Sequence, residues 1–183
     1  MNKKNRGPQL IVWGGKPFWP LDPRPEDINI HTIAHALSYT CRYNGHCNRF
    51  YSVAEHSLIL SELVTPKNAI YALLHDAAEA YVGDMVRPLK ALLPEFNKIE
   101  NKILSIILEK YGLGKKLPKE VTDVDGLIIL DEMEALGLKH KDPQSTPFYL
   151  WNISSFIPPS SPSVIKEKFL KRFEDLYAHH LPF

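Results

Sequence analysis

Apolar positions in this chain recur mostly at intervals of three and four residues, the period of a helix that turns one face to a core. Ile30, Ile33, Ala34, Leu37 and Cys41 keep that spacing, with Asn29 placed to cap the segment and Gly45 to stop it. Ser52-Val-Ala-Glu55 has the pattern of a capping box and opens a second helix on Val53, Leu60, Leu63 and Val64. After the Thr65-Pro66 break a central helix is predicted from Ala69 to about Val82, ended by Gly83-Asp84. Pro94 opens another, on Phe96, Ile99, Ile103, Ile106 and Ile107, finishing at Tyr111-Gly112. Val121 to Leu136 resumes the period, and a last helix over about 163–178 presents Ile165, Phe169, Phe173 and Leu176.

Two stretches depart from the helical period. Leu10-Ile-Val-Trp13 and Lys16-Pro-Phe-Trp19 flank Gly14-Gly15 as a small hairpin would, with Pro17 confining its strand to an edge. Residues 139–162 carry Pro143, Pro147, Pro158, Pro159 and Pro162, too many for a long helix, although Phe148 to Ile153 reads as a short extended segment. The pattern predicts an all-α single domain: an N-terminal hairpin or arm over 1–24, a helical core over about 25–135, and an irregular Pro-rich segment before the last helix within a 139–183 extension.

Composition narrows the function more than the fold. A hydrophobic content of 44% in 183 residues is enough for one sizeable core. With 22 Lys+Arg against 21 Asp+Glu the formal charge is +1, so nothing in the whole-molecule field favours a long nucleic acid or an anionic membrane. Cys41 and Cys47 are too few for a disulfide framework. No stretch approaches the ~20 apolar residues of a membrane span, and no signal-like apolar region follows the basic start, so a cytoplasmic location is expected.

A few polar residues interrupt the apolar stripes. On the central helix His75, Asp76 and Glu79 fall at i, i+1 and i+4 and project from nearly one side, while Ile70, Leu73, Leu74 and Ala77 fill the other. His56 lies on the apolar stripe of the second helix, and Asp125 sits among Val124, Leu127, Ile128 and Ile129. Desolvating an isolated charge costs several kcal/mol or more, and a bound metal ion removes that cost. Two imidazoles with two carboxylates suit Mn, Fe, Co, Ni or Zn better than calcium, and an octahedral ion would keep about two positions for water and a substrate oxygen. Such an ion lowers the pKa of water and polarises a phosphoryl oxygen. The plainer alternatives are that His75 is a hydrogen-bonded core histidine, that Glu79 pairs with Arg42 or Lys90, and that Asp84 caps a turn.

The ordered set His56, His75-Asp76 and Asp125 resembles the His…His-Asp…Asp signature of the HD-domain phosphohydrolases. The likeness is carried by Ser52-Val-Ala-Glu-His-Ser57, by Ala72-Leu-Leu-His-Asp-Ala-Ala-Glu-Ala-Tyr-Val-Gly-Asp84 and by Arg87-Pro-Leu-Lys90, and it covers roughly residues 25–135. It is similar to the small branch that includes bacterial 5′-deoxynucleotidases and phage dATP triphosphohydrolases. The resemblance implies a single HD-domain helical bundle in which His56, His75, Asp76 and Asp125 ligate a divalent transition metal. Asp125 is preferred to Asp123 and Asp131 because Val124-Asp125 followed by Glu132 fits the family pattern. Glu79 corresponds to the acid that orients or deprotonates water, and Asp84 to a second acid near the leaving group. Arg42 and Lys90 match phosphate-binding positions, His46 flanks them, and Tyr43 replaces the family's tryptophan as the contact to a base.

The activity so implied is hydrolysis of a 2′-deoxynucleoside triphosphate, most narrowly dATP, to the deoxynucleoside and triphosphate. A 5′-deoxynucleotidase acting on monophosphates is the near rival, and a non-catalytic nucleotide-sensing module the distant one. A homo-oligomer is expected by the same resemblance, with the 96–111 helix offering an interface.

Overall fold

The Asn29 side chain accepts from the backbone N–H groups of His31 and Thr32 and starts helix α1, Ile30–Tyr39, whose Thr32, Ile33, Ala34, Leu37 and Ser38 are buried. In the computed structural model, which describes residues 6–138, 151, 153 and 159–180, the other helices are α2 (Val53–Leu63), α3 (Ala69–Leu74), α4 (Glu79–Val82), α5 (Arg87–Lys90), α6 (Pro94–Lys110), α7 (Lys119–Ala135) and α8 (Pro162–His180). The chain is predominantly helical, as the periodicity predicts. Its only sheet among the described residues is the hairpin β1 (Leu10–Val12) and β2 (Lys16–Phe18), antiparallel, with Pro17 opposite Ile11. The extended segment expected at Phe148 to Ile153 lies outside the described residues, apart from Trp151 and Ile153.

The capping box at Ser52 forms in full: its hydroxyl accepts from the Glu55 N–H at 3.1 Å, and Glu55 Oε2 accepts from the Ser52 N–H at 2.8 Å. Glu55 is wholly buried and bonded to Arg49 at 2.8 Å, so this helix start is locked from both sides. Helix α2 packs along α3, and α1 along α8, where Ile165, Phe169 and Phe173 are buried. The hairpin is not a loose arm, because Phe18 is fully buried with its ring stacked on Tyr81 at 4.0 Å between centroids. Helix α6 buries Ile103, Ile107 and Leu108 in the chain's own core, so the apolar face expected to serve an oligomer is largely used internally.

The central helix departs most from expectation. It breaks between Leu74 and Glu79, where Ala77 N–H reaches Leu74 O at 3.0 Å and Glu79 N–H reaches Asp76 O at 2.9 Å, the tighter three-residue pattern. The cause is local: His75 Nδ1 takes the Ala72 carbonyl at 2.7 Å, a side chain inserted into the backbone ladder. Helix α1 also ends early, so Cys41 and Arg42 lie beyond it. Arg42–Gly45 forms a short 3-10 turn in which Tyr43 (φ 54°), Asn44 (φ 50°) and Gly45 (φ 78°) are successively left-handed. For non-glycine residues that conformation costs roughly 1–2 kcal/mol each, so the surroundings must hold it in place. Among the described residues no helix is long and apolar enough to cross a membrane.

Replacing Ser52 by Ala leaves the Glu55 N–H without its cap acceptor and removes one of the two donors to Glu55 Oε2; the loss expected in urea denaturation is about 1–2 kcal/mol. An unchanged midpoint would mean that the capping box does not hold α2 in place.

Candidate functional site

Three elements bring the polar residues of the apolar stripes to one point. His56 comes from the second turn of α2, His75 and Asp76 from the break after α3, and Asp125 from the middle of α7. His56 Nε2 is 3.1 Å from His75 Nε2 and 3.1 Å from Asp125 Oδ1, and His75 Nε2 is 3.7 Å from the same oxygen. Asp76 Oδ2 stands 3.1 Å from His75 Nε2 and 3.8 Å from His56 Nε2. Ligands about 2.1 Å from a common ion are separated by about 3.0 Å at a right angle and about 3.4 Å at the tetrahedral angle, so these spacings suit one centre. His56, His75 and Asp125 form a group that could hold a metal ion, and Asp76 adjoins it.

The ring orientations explain why the cluster needs a cation. His75 Nδ1 faces the carbonyl of Ala72, which only accepts, and His56 Nδ1 faces Glu132 Oε1 at 2.5 Å. Both Nδ1 atoms therefore donate, which turns both Nε2 atoms toward the carboxylates and makes them the ligand positions once they carry no proton. Burial opposes a charge on His75, but the charge of Asp76 and hydrogen bonds with Asp125 and Asp76 raise its imidazole to about 10. Burial likewise opposes ionisation of Asp76 and Asp125, yet both are held well below the usual carboxylate range. His75 does this to Asp76, and hydrogen bonds with His56 and His75 do it to Asp125. A proton on His75 thus plays the part that a divalent ion would take over on binding.

Glu132, which the sequence offers only as the neighbour that aligns Asp125, is the acid that ties the cluster to the rest of the core. It is wholly buried, and its carboxylate accepts from Tyr43 Oη at 2.5 Å, Tyr51 Oη at 2.7 Å, His56 Nδ1 and Arg42 Nη2 at 3.2 Å. Burial would raise its pKa, but His56 and Arg42 hold it at about 2. A signal was present: Asp125 and Glu132 are two turns apart on one face of α7. Asp123 and Asp131 go elsewhere, the first to Lys119 and the second to the backbone N–H of Trp151.

The expected substrate residues divide between two openings. A groove of about 920 Å³ is lined by Tyr43, His46 and Asp84 and by apolar Met85, Ile129 and Met133. Its exposed cation is Arg87, bonded to Asp125 Oδ2 at 2.8 Å. Arg42 does not stand free for phosphate: its guanidinium bridges Asp76 at 3.4 Å and Glu132 at 3.2 Å. Lys90 faces a second, smaller pocket, 2.6 Å from Glu100 and 4.0 Å from Glu79. Burial, with the charges of Asp76 and Asp84, pushes the Glu79 carboxyl up to about 10. Burial also raises Asp84.

No family model matches the chain. It is 38% identical over 175 residues to the uncharacterized protein YfdR of Escherichia coli (strain K12), a match covering 91% of this chain and 94% of that protein. The uncharacterized protein RCAP_rcc00048 of Rhodobacter capsulatus is 38% identical over 111 residues, 55% of this chain and 57% of that protein.

Because Glu132 orients the His56 ring, Glu132→Gln should weaken Co(II) binding by about 10- to 100-fold in a calorimetric titration while leaving one site per chain. Wild-type affinity in this variant would show that the ring is oriented by something else.

Proposed function

The chain belongs to the family of Escherichia coli YfdR, and from the cluster of His56, His75 and Asp125 we propose that it is a metal-dependent phosphohydrolase of the HD-domain type acting on a deoxynucleotide. The observation that carries this reading is the convergence of imidazole nitrogens and carboxylate oxygens on one point, joined through the Arg87–Asp125 contact to a groove large enough for a nucleotide. A divalent ion held by His56, His75, Asp76 and Asp125 would supply Lewis acidity toward a phosphoryl oxygen and would acidify water at neutral pH.

The rest of the chemistry belongs to the chain's own side chains. The apolar wall of Met85, Ile129 and Met133, with the Tyr43 ring, receives base and deoxyribose. Arg87, with 60% of its side chain exposed, meets the phosphate as a planar fork, and it can leave Asp125 to do so. Arg42 keeps Asp76 turned inward, which makes it a support for the ligand set. Glu79 orients the attacking water and takes its proton, a role that requires the bound cation to draw its carboxyl down from about 10 toward neutrality. Asp84, on the groove wall and raised by burial, gives a proton to the departing oxygen.

Among deoxynucleotides we favour the 2′-deoxynucleoside triphosphates, with dATP the narrowest choice. Water adds to the phosphorus attached to the 5′ oxygen, the bond between them breaks, and deoxynucleoside leaves with intact tripolyphosphate. The measurement is product analysis of the Mn- or Co-loaded protein with each dNTP and dNMP. Deoxyadenosine plus tripolyphosphate from dATP is expected. Orthophosphate from monophosphates would instead identify a 5′-deoxynucleotidase, and binding without turnover a sensor. Glu79→Gln should lower kcat by about 10²- to 10⁴-fold with substrate binding retained; an active variant would remove Glu79 from the mechanism.

A further inference from the structure

The two openings beside the cluster share no lining residue, and they differ in charge. The smaller, about 160 Å³, lies between α6 and α7 and is faced by His75, Asp76, Glu79, Glu100, Asp125 and Lys90. We propose that this rear pocket is the water port of the site, a chamber in which Glu79 and Glu100 hold the attacking water apart from the groove that takes the anionic substrate. The inference rests on the phosphohydrolase reading and adds to it a separate path for the second reactant.

Size excludes the larger reactant. At about 30 Å³ per molecule in the liquid, the pocket has room for several waters, whereas ligand pockets for larger molecules start near 300 Å³.

The hydrogen-bonding inventory fits water specifically. Lys90 lies 4.0 Å from Glu79 Oε1 and 2.6 Å from Glu100 Oε2, so it ties one oxygen of each acid and fixes their relative positions. The other oxygens, Glu79 Oε2 and Glu100 Oε1, are buried and accept no hydrogen bond among the described residues. The two residues are only 6% and 9% exposed, too buried for bulk solvent to satisfy them. Water both donates and accepts, so it fits between two such oxygens whichever of them carries a proton. Phosphoryl transfer also places attacking and leaving oxygens roughly in line, which separate openings for water and nucleotide allow. Glu100 is then a positioning residue, acting through water and Lys90 without touching the nucleotide.

The pocket can be plugged from either wall without disturbing the metal ligands. Thr122 on α7 and Asn101 on α6 line it and are exposed, so Thr122→Trp and Asn101→Trp fill it from surface positions. Both variants are expected to lose roughly tenfold or more in kcat, as misplacement of a reactant does, with KM, cobalt content and melting temperature unchanged. Thr122→Ser should keep wild-type kcat, and Glu100→Gln should lower kcat without raising KM. A crystal structure of the cobalt-loaded protein should place ordered waters on Glu79 Oε2 and Glu100 Oε1. If the wild type hydrolyses nucleotides and both tryptophan variants match its kcat, the water port is wrong while the phosphohydrolase reading stands. A raised KM at unchanged kcat would assign the pocket to substrate and overturn the proposal. If the wild type hydrolyses no nucleotide, both readings fall.

Discussion

Two imidazole nitrogens 3.1 Å apart, each facing carboxylate oxygens, make an arrangement that is stable only with positive charge among them. Each ring has already committed its other nitrogen, His75 to a backbone carbonyl and His56 to Glu132, so neither can rotate away to relieve the crowding. Without an ion the compensation comes from a proton on His75, whose imidazole is raised to about 10 by its acidic neighbours. That balance between convergence and charge extends to Arg42 and Glu132, which hold Asp76 and His56 in place.

Glu132 shows how far that influence extends. Four donors from three segments meet its carboxylate: two phenols, an imidazole and a guanidinium. Tyr43, one of the two phenols, opens a run of consecutive left-handed residues, a backbone conformation that a free loop would not choose. The break after α3 is a second departure, since regular helix geometry there would leave Ala72 O to the backbone instead of to His75. Among the described residues the left-handed non-glycine backbone and the helix break both lie in segments that carry cluster residues or their partners, while the cap of α2 and the packing of α1 on α8 follow ordinary rules.

That division also separates what could be read from the amino acids alone from what could not. Asn29 and the Ser52–Glu55 box act on neighbouring backbone, so their roles were visible in a few adjacent letters, as were the helical period and the charged residues interrupting it. His56, His75 and Asp125 could be singled out because each replaces an apolar residue on a buried stripe. The break at residues 75–78 was invisible, since Ala69 to Val82 has an unbroken helical pattern and its interruption depends on one ring finding one carbonyl. Partner choice was equally hidden. A sequence displays the charges of Arg42, Arg87 and Lys90 but not that the first supports Asp76, the second stands in the groove and the third is bound to Glu100.

The convergence itself can be tested directly by anomalous diffraction from crystals soaked in Co(II) or Mn(II). A single peak within about 2.3 Å of His56 Nε2, His75 Nε2 and Asp125 Oδ1, with Asp76 alongside, is the predicted result. An ion bound elsewhere, or no ion at saturating concentration while His75 remains paired to its two carboxylates, would contradict it.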